Sequence, residues 1–524
     1  MSDLYENARF FTGEGFAEAV LVEDGRFAFV GSGTEARTRH RGGAAVDLGG
    51  ALVVPGFNDS HMHLYGMALM NERPGLQGVR SVSELQERLR AHLASPRFTG
   101  GFLLARGFDQ NRFDVVRFPT RADLDAVDDR IPIVVTRVCG HVAVLNTPAL
   151  KRSGIDASTR VDGGSIDFAD GILAEKALDL VFSNRLPTTK AEVRRLLLAG
   201  MRLLNRDGIT TVQTDDLSHA FPGDYERMIE VYRELAEEGL LTVRIRAQSH
   251  LPTLAMLADY IAKGYPNRRY GDFLKMGPLK LLLDGSLGAR TAAMSAPYAD
   301  DSGTSGILTY SDEELHELVA TAHRAGMSVA MHAIGDRAMT QALDVYERVL
   351  GELPRPDHRH ALIHCQITTD AILARMARLD VYAAVQPIFI DADMAVVEAR
   401  VGAAKAVKSY AWKTMQDLGI NVAFGTDAPV EDANPFENLR AAVRRTDRAG
   451  RLYRPDQKMP VADAIRAYTV ASARQTRDER ELGSIATGMR ADFAVLPPDA
   501  FERIEGGGKL PAVRMTFVGG KRVF

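Results

Sequence analysis

The stretch ALVVPGFNDSHMHL, residues 51–64, decides how the rest of the chain is interpreted. Its apolar run ends at Pro55-Gly56, and His61 and His63 follow with one residue between them. Residues i and i+2 of a strand point to the same face of a sheet, so both imidazoles can reach one side. Such a pair suits a zinc site, but histidines that meet by chance in a loop are the alternative for this stretch alone.

The composition excludes several classes of protein. The chain has 524 residues, 46% of them hydrophobic, and a net charge of −4 without a basic stripe, so nucleic acid is not expected as a partner. No cationic start precedes an apolar core, and no apolar run approaches about 18 residues, so neither a signal peptide nor a membrane span is expected. The only cysteines, Cys139 and Cys365, are too few for a disulfide framework and favour a reducing, cytoplasmic location.

From about residue 208 the chain alternates short apolar runs with segments of helical spacing. The runs are GITTVQT (208–214), TVRIRAQ (242–248), PLKLLLD (278–284), MSVAMHA (327–333), RHALIHC (359–365), DVYAAVQP (380–387) and INVAFGTD (420–427). With the run into FNDSHMH they make eight units, which predict an α/β fold of the (β/α)8 TIM barrel type. A doubly wound open sheet is the alternative, but no glycine-rich phosphate loop follows an early strand.

Both ends of the chain predict strands. AEAVLVEDGRFAFVG (17–31) forms two runs joined at Asp24-Gly25, and AVRMTFVGGKRVF near the end turns at Gly519-Gly520. We expect residues 1–55 and 480–524 to build one small β-sandwich domain and residues 56–479 to form the barrel. Residues 65–184 are too long for one crossover and contain the strand-like IPIVVTRVC, so we expect an insertion after barrel strand 1.

Polar residues close several of the predicted barrel strands. Catalytic groups of such barrels lie at the carboxyl ends of the strands. Besides the two histidines of the first strand, the residues in question are Lys280, His332, His364 and Asp427. Imidazoles and a carboxylate that meet at one end of a barrel predict a zinc site, although manganese, iron or nickel would also accept these ligands.

Lys280 is unusual because it lies inside an apolar strand, where an ammonium group is expensive to bury. Burial and a nearby metal would lower its pKa, and a neutral amine can react with carbon dioxide to form a carbamate. The two carbamate oxygens could bridge two metal ions. An ion pair with Asp284, or a hydrogen bond from the amine to a substrate, is the alternative.

The remaining histidines serve as a comparison set. His323 lies in a helix-like segment among charged neighbours, and His358 and His360 lie in a polar stretch at a strand start, so we expect all three to face solvent. His219 and His250 follow the carboxyl ends of strands, where both a substrate contact and a surface loop are possible.

These residues resemble those of the metal-dependent amidohydrolase superfamily. LKLLLDGSLGARTA (279–292), HAIGDRA (332–338), HCQ (364–366) and GTDAPV (425–430) are similar to motifs of its amidohydrolase-3, YtcJ-like branch, which includes N-substituted formamide deformylase. The likeness spans nearly the whole chain, including GHVAVLNTPAL (140–150) in the insertion. It implies a distorted (β/α)8 barrel with a small β-sandwich built from both termini.

The resemblance also implies a binuclear zinc centre. His61, His63 and Asp427 would hold one ion, His332 and His364 would hold the other, and a carboxylated Lys280 would bridge the two. A single ion, or other divalent metals, would also be compatible with the superfamily. In this branch a glutamate often precedes the sixth-strand histidine, whereas Ile363 stands here, so a carboxylate behind His364 is expected to be missing.

The expected function is that of a metal-dependent hydrolase that cleaves a non-peptide C–N bond, in an amide or a formamide, by attack of a metal-bound hydroxide. Asp427 would carry the proton to the leaving nitrogen. His141 is a candidate substrate contact or a core histidine, and Arg290 is a candidate substrate contact or a structural residue. A deaminase or an esterase/lactonase with the same metal site is the alternative, followed by an inactive scaffold. We expect a small-molecule substrate and a possible homodimer.

Overall fold

The structure is a computed structural model that describes residues 1–95, 98, 101–137, 142–161, 164–182 and 189–524. The chain divides into two units, one made of residues 1–66 and 193–524 and the other of residues 67–192. Among the described residues, no helix combines the length and the hydropathy needed to cross a bilayer.

Eight parallel strands form the predicted barrel, hydrogen-bonded in chain order. They are β1 Phe57–Met62, β2 Ile209–Thr214, β3 Arg244–His250, β4 Leu274–Leu282, β5 Val329–Ala333, β6 Ala361–His364, β7 Tyr382–Val385 and β8 Val422–Phe424. The first and last strands meet just beyond β8, where Asp427 N–H donates to His61 O and His63 N–H donates to Ala428 O, both at 2.8 Å. The (β/α)8 architecture expected from the alternating runs is therefore confirmed.

Helices follow the strands as the sequence predicts. The longer ones between the barrel strands, or after the last of them, are Lys190–Arg206, Tyr225–Glu237, Leu254–Ala262, Asp312–Arg324, Asp336–Glu352, Asp370–Arg378 and Pro435–Arg444. Asp312–Arg324 begins with the expected capping box, in which the Ser311 side chain accepts from Glu314 N–H and the Glu314 carboxylate accepts from Ser311 N–H. Shorter helices follow β7 and β8, namely Ile390–Asp393, Val397–Val401, Ala403–Ala406, Trp412–Asp417, Val461–Ala467 and Val470–Gln475.

Strands from both ends of the chain form one eight-stranded sheet. Its order is Lys521–Arg522, Met515–Val518, Phe493–Leu496, Ala45–Pro55, Asp3–Phe11, Ala19–Glu23 and Arg26–Gly31, with Phe16–Ala17 paired to Asp3–Phe11. The sheet curls, so that strand Arg26–Gly31 approaches the segment just before Phe493–Leu496. Phe27 N–H donates to Met489 O there at 2.9 Å. Inside it, Phe493 stacks on Phe517 with centroids 4.4 Å apart, and Tyr5 meets both rings edge-on. Both termini thus share one aromatic core.

A buried ion pair joins this terminal sheet to the barrel. Arg244 at the start of β3 donates from Nε and Nη2 to the two carboxylate oxygens of Asp492, at 2.7 and 2.9 Å. Gly519 N–H adds a third donor to the same carboxylate at 2.7 Å. Both charges are nearly inaccessible to water, so each depends on the other for compensation.

The second unit has its own five-stranded sheet. The order is Gly164–Asp167, Ile172–Glu175, Val142–Leu145, Ile133–Arg137 and Leu103–Phe108, and the IPIVVTRVC segment supplies Ile133–Arg137. Helices Val82–Leu93, Arg121–Asp125 and Thr147–Arg152 accompany it. The insertion after barrel strand 1 is therefore a folded unit with a sheet rather than an extended loop.

Three histidines expected to face solvent are buried instead. His323, His358 and His360 lie at the amino-terminal end of β5 and β6, where the expectation was wrong. His360 Nδ1 accepts from Val329 N–H, its Nε2–H donates to His323 Nδ1, and its backbone N–H donates to His358 Nδ1, all within 3.0 Å. The outer nitrogens of His323 and His358 donate to Leu353 O and Leu379 O, both at 2.9 Å. Every ring nitrogen therefore has a partner only when all three imidazoles are neutral.

This arrangement predicts a loss of stability in acid. Burial, together with the neighbouring histidines and arginines, holds the pKa of His360 well below its usual value of 6.5, and burial also lowers the pKa of His323 and His358. The unfolded chain takes up protons below about pH 6.5 and the folded chain does not, so unfolding is favoured by about 1.4 kcal/mol per pH unit for each histidine that stays neutral. The charged groups facing the cluster are Arg355, Arg477 and Asp380.

Chemical denaturation at pH 7.5 and at pH 5.5 measures this effect. His323→Gln keeps an acceptor for His360 and a donor for Leu353 but cannot be protonated, so its stability should fall less steeply with acid than that of the unaltered chain. Equal slopes for the two proteins would contradict the assignment.

Candidate metal centre

The six residues predicted to form a metal site come from five barrel strands or the turns that follow them. His61 is in β1 and His63 one residue beyond it, Lys280 is in β4, His332 in β5, His364 closes β6, and Asp427 follows β8. Asp427 Oδ1 lies 3.3 Å from His61 Nε2 and 3.1 Å from His63 Nε2. Potential ligand atoms of His61, His364 and Asp427 lie within 4.8 Å of one another. The ring centroids of His332 and His364 are 4.4 Å apart.

Each of the four histidines has one ring nitrogen held by a protein acceptor. The Nδ1–H groups of His61, His63 and His364 donate to Gln248 Oε1 (2.6 Å), Asp215 O (3.1 Å) and Gln386 Oε1 (2.7 Å). His332 differs, because its Nε2–H donates to Gly285 O at 3.1 Å. Metal-ligating histidines usually donate their other N–H in this way, which fixes the tautomer and the ring orientation. Three Nε2 atoms and one Nδ1 atom are left for a cation.

Asp284 supports His332 from behind. Its carboxylate accepts from the backbone N–H groups of Ala293, Ile334 and Gly335 at 2.8 to 3.1 Å and lies 3.2 Å from His332 Nε2. These donors fix the position of the carboxylate next to the imidazole. The sequence analysis offered an ion pair between Asp284 and Lys280 as an alternative. In the structure the Asp284 carboxylate instead contacts these backbone groups and His332.

A buried carboxylate and a glycine fix the carboxyl ends of strands β1 and β8 relative to each other. Asp59 accepts from His61 N–H (3.1 Å), Thr426 N–H (3.1 Å) and Thr426 Oγ1 (2.7 Å). A Cβ at Gly425 would lie 2.6 Å from His61 N, so no other residue fits between the strands. Asp427, His364 and Cys365 have φ values of +56°, +81° and +49°. Such left-handed backbone in non-glycine residues is rare and concentrates at functional sites.

The electrostatics of the site favour neutral nitrogen ligands. Burial, followed by the charge of Lys280, lowers the pKa of His61 to about 4, and burial places the pKa of His364 well below its usual value. Burial also lowers the pKa of Lys280, which is only 1% exposed, although the charges of Asp215 and Asp427 oppose the effect. Metal ligation requires deprotonated nitrogen, so these shifts prepare the side chains for a cation.

Asp427 attracts positive charge to the same point. Burial acts to lower the pKa of His63, but the hydrogen bond to Asp427 and its charge outweigh burial and raise the pKa to about 9. A divalent cation would take the place of that proton between the imidazole and the carboxylate. The donor set, four imidazoles and one carboxylate, fits a zinc-type centre.

The departure at Ile363 has a visible consequence. Ile363 is buried in an apolar cluster with Ala330, Ala361, Tyr382 and Ala384. The neutral amide of Gln386, rather than a carboxylate, orients His364. The His364 ring is therefore oriented by an amide, and its hydrogen-bond partner adds no negative charge.

The two candidate substrate contacts lie differently. His141 is outside the described residues. Arg290 donates from Nε and Nη2 to the carboxylate of Asp300, both at 3.1 Å, and Arg400 pairs with the same carboxylate. Its guanidinium is therefore engaged in a surface ion pair, and a substrate contact by Arg290 stays a prediction.

Some residues of the site escaped the sequence analysis. Gln248 and Gln386 orient ligands, and Asp215 supplies a backbone acceptor and a buried carboxylate. Each lies at or just past the end of an apolar run, the same position that identified the histidines. His219 is exposed, with its ring 5.2 Å from that of His63, and His250 bonds to Ser218 Oγ at 2.7 Å.

Comparison with known proteins agrees with this geometry. The model of the amidohydrolase family matches residues 44–524. The chain belongs to the amidohydrolase family. "Putative amidohydrolase YtcJ" of Bacillus subtilis (strain 168) is 31% identical over 521 residues, 97% of this chain and 96% of that protein. N-substituted formamide deformylase of Arthrobacter pascens is 27% identical, over 96% of this chain and 94% of that enzyme.

Solved structures of hydrolases share the fold of this amidohydrolase. The crystal structure of an uncharacterized metal-dependent hydrolase from Pyrococcus horikoshii superimposes with a TM-score of 0.83 at 29% identity and covers 97% of this chain and 100% of that chain. The family and this structural neighbour support a hydrolase, and together with the cluster of His61, His364 and Asp427 they suggest a metal.

Proposed function

We propose that this amidohydrolase hydrolyses the C–N bond of an amide or formamide in a small molecule, with the help of divalent metal. The observation that carries the proposal is the set of four imidazoles around Asp427, each with its outer nitrogen held by an acceptor. The likeness to N-substituted formamide deformylase over nearly the full length of both chains favours a C–N bond.

Zinc is the proposed metal, in a pair of ions. His61, His63 and Asp427 would hold one, His332 and His364 the other, and a carboxylated Lys280 would bridge them. The chemistry that such ions would supply there is polarisation of a carbonyl group and activation of water near neutral pH. The low exposure of Lys280 and its lowered pKa support the carbamate, because only the neutral amine reacts with carbon dioxide.

Asp427 is the proposed proton carrier. Its carboxylate is buried, ionised and shared between two imidazoles, so it can accept a proton from the attacking water. The same oxygen then donates that proton to the leaving nitrogen, which an amine needs in order to depart. The strained backbone at residue 427 fixes the carboxylate while this exchange occurs.

Metal removal followed by a substrate screen tests the function. Dialysis against a chelator should abolish turnover, and zinc should restore it as the metal content returns to one or two ions per chain. A panel of formamides, amides, cyclic ureas, aminopurines and esters should show fastest release of an amine from an amide or formamide. Preference for aminopurines would indicate a deaminase, esters alone would indicate an esterase, and turnover indifferent to metal would refute the centre.

Carboxylation of Lys280 can be tested by NMR. Metal-loaded protein equilibrated with 13C-bicarbonate should give a carbamate signal in its 13C NMR spectrum, and Lys280→Ala should remove it and lower turnover by about a hundredfold or more. Lys275, also buried in β4, pairs with Asp478 and serves as the control, so Lys275→Arg should keep the signal. A signal that follows Lys275, or none in the metal-loaded protein, would contradict the carbamate.

A further inference from the structure

Asp215 is a buried carboxylate at the metal centre for which the proposed reaction has no use. It follows β2 directly, and its N–H still donates to Met62 O of β1 at 3.0 Å, so strand pairing extends to this residue. Two residues earlier, Gln213 lines a small cavity inside the barrel together with Gln248. Alternation along the strand therefore directs the Asp215 side chain inward as well, toward the carboxyl end of the barrel.

The Asp215 carboxylate lacks a donor that its neighbour has. Within the described ranges Asp215 Oδ1 is buried and has no hydrogen-bond partner, and the residue is 1% exposed. The carboxylate of Asp216, by contrast, accepts from Thr214 Oγ1 (2.6 Å), Tyr232 OH (2.7 Å) and Tyr65 N–H (3.1 Å). A buried acceptor without a donor is costly and rare in folded proteins, so Asp215 calls for a function that Asp216 does not.

Two of the ionisable side chains around Asp215 are bonded to other groups. The side chains whose charge acts on it are Lys280, His63, His250 and His219. His63 directs its Nε2 to Asp427, and His250 Nδ1 is bonded to Ser218 Oγ. None of them reaches Asp215 Oδ1. The open acceptor lies next to a ligand of the proposed metal centre, where a substrate's reacting group would be held.

We propose that Asp215 accepts a hydrogen bond from an N–H group of the substrate, so that the site selects primary and secondary amides over tertiary, N,N-disubstituted amides and esters. The inference rests on the proposed function and names its substrate class. An N–H donor would satisfy the buried oxygen, whereas an N-methyl group or an ester oxygen would leave it unpaired. Sites built to bond a substrate N–H discriminate strongly against analogues that lack it.

Three matched probes test the selection: N-butylformamide, N-butyl-N-methylformamide and butyl formate. The metal-loaded enzyme should prefer the secondary formamide. Asp215→Ala should lower kcat/KM for that probe by about 30- to 100-fold and change the tertiary formamide by less than about threefold. Asp215→Asn, which keeps one carbonyl oxygen, should lie between. Ser218→Ala, in the same loop, should leave the ratio between the two formamides unchanged.

Two measurements do not depend on turnover. Asp215→Asn should lower Tm less than Asp216→Asn, because the Asp216 carboxylate has three hydrogen bonds to lose and Asp215 Oδ1 has none. Crystals of the metal-depleted protein, in which no turnover is expected, soaked in N-butylformamide should place the amide nitrogen within hydrogen-bond distance of Asp215.

The outcomes separate the two proposals. If the tertiary formamide and the ester are cleaved as fast as the secondary formamide, hydrolysis stands and the assignment of Asp215 is wrong. If no probe is cleaved but the amide nitrogen contacts Asp215 in the crystal, the assignment stands and formamide hydrolysis is wrong. An amide bound elsewhere, or none bound at saturation, overturns the assignment.

Discussion

Replacing His61 by alanine is expected to remove most of the bound metal and to lower turnover by about a thousandfold or more. Its Nε2 lies 3.3 Å from Asp427 Oδ1, and its Nδ1–H donates to Gln248, so the alanine removes a nitrogen that is oriented toward the proposed cation. Stabilisation of transition-state charge by a catalytic metal is worth several kcal/mol, and about 4 kcal/mol corresponds to this factor. Metal analysis and steady-state kinetics of the same preparation measure both effects.

His316→Ala is the matched control. His316 lies on the surface helix Asp312–Arg324 and pairs with the half-exposed Glu352, so its loss should leave metal content and kcat/KM unchanged. A His61→Ala protein with full metal content and full activity would overturn the location of the centre.

Replacing Asp478 by alanine is expected to destabilise the barrel by about 3–5 kcal/mol, enough to prevent folding at physiological temperature. The fully buried carboxylate accepts from Arg246 Nε of β3 (2.5 Å) and Arg269 Nη2 (2.9 Å) and pairs with Lys275 of β4 (3.3 Å). Its removal would leave the buried Arg246 guanidinium without compensation. Chemical denaturation, or the soluble yield if the variant does not fold, measures the loss.

Asp344→Ala provides the comparison for this prediction. Asp344 pairs with Arg375 at 2.7 Å, but its side chain is 62% exposed, so the change should alter stability by less than about 1 kcal/mol. Similar losses for the two variants would contradict the importance of burial at Asp478.

The sequence predicted the barrel, and it identified the proposed metal ligands, because both leave local signals. An apolar run of four to seven residues ending in a polar side chain marks the strand and its functional end together, as in Ala361–His364. Since the ends of parallel strands converge in a barrel, residues three hundred positions apart, such as His61 and His364, could be assigned to one site before any distance was known.

The rest depends on contacts that no local pattern records. His360 lies in a stretch of charged residues, yet Tyr346 from the preceding helix stacks on its ring and His323 bonds to it, so tertiary packing overrides the polar context. Asp215 and Asp216 are adjacent identical residues. Only the three-dimensional contacts distinguish them. Tyr232 and Thr214 donate to the carboxylate of Asp216, whereas Asp215 Oδ1 has no donor among the described residues.

The sheet shared by both ends of the chain constrains how this protein is made. Strand Ala45–Pro55 lies between Asp3–Phe11, its near neighbour in sequence, and Phe493–Leu496, synthesised more than four hundred residues later. During translation one edge of strand Ala45–Pro55 therefore keeps its backbone donors and acceptors unpaired until the barrel residues have been synthesised. The sheet can therefore be completed only late in synthesis. A ribosome that stalls before residue 493 would release a chain whose strand Ala45–Pro55 has an unpaired, aggregation-prone edge.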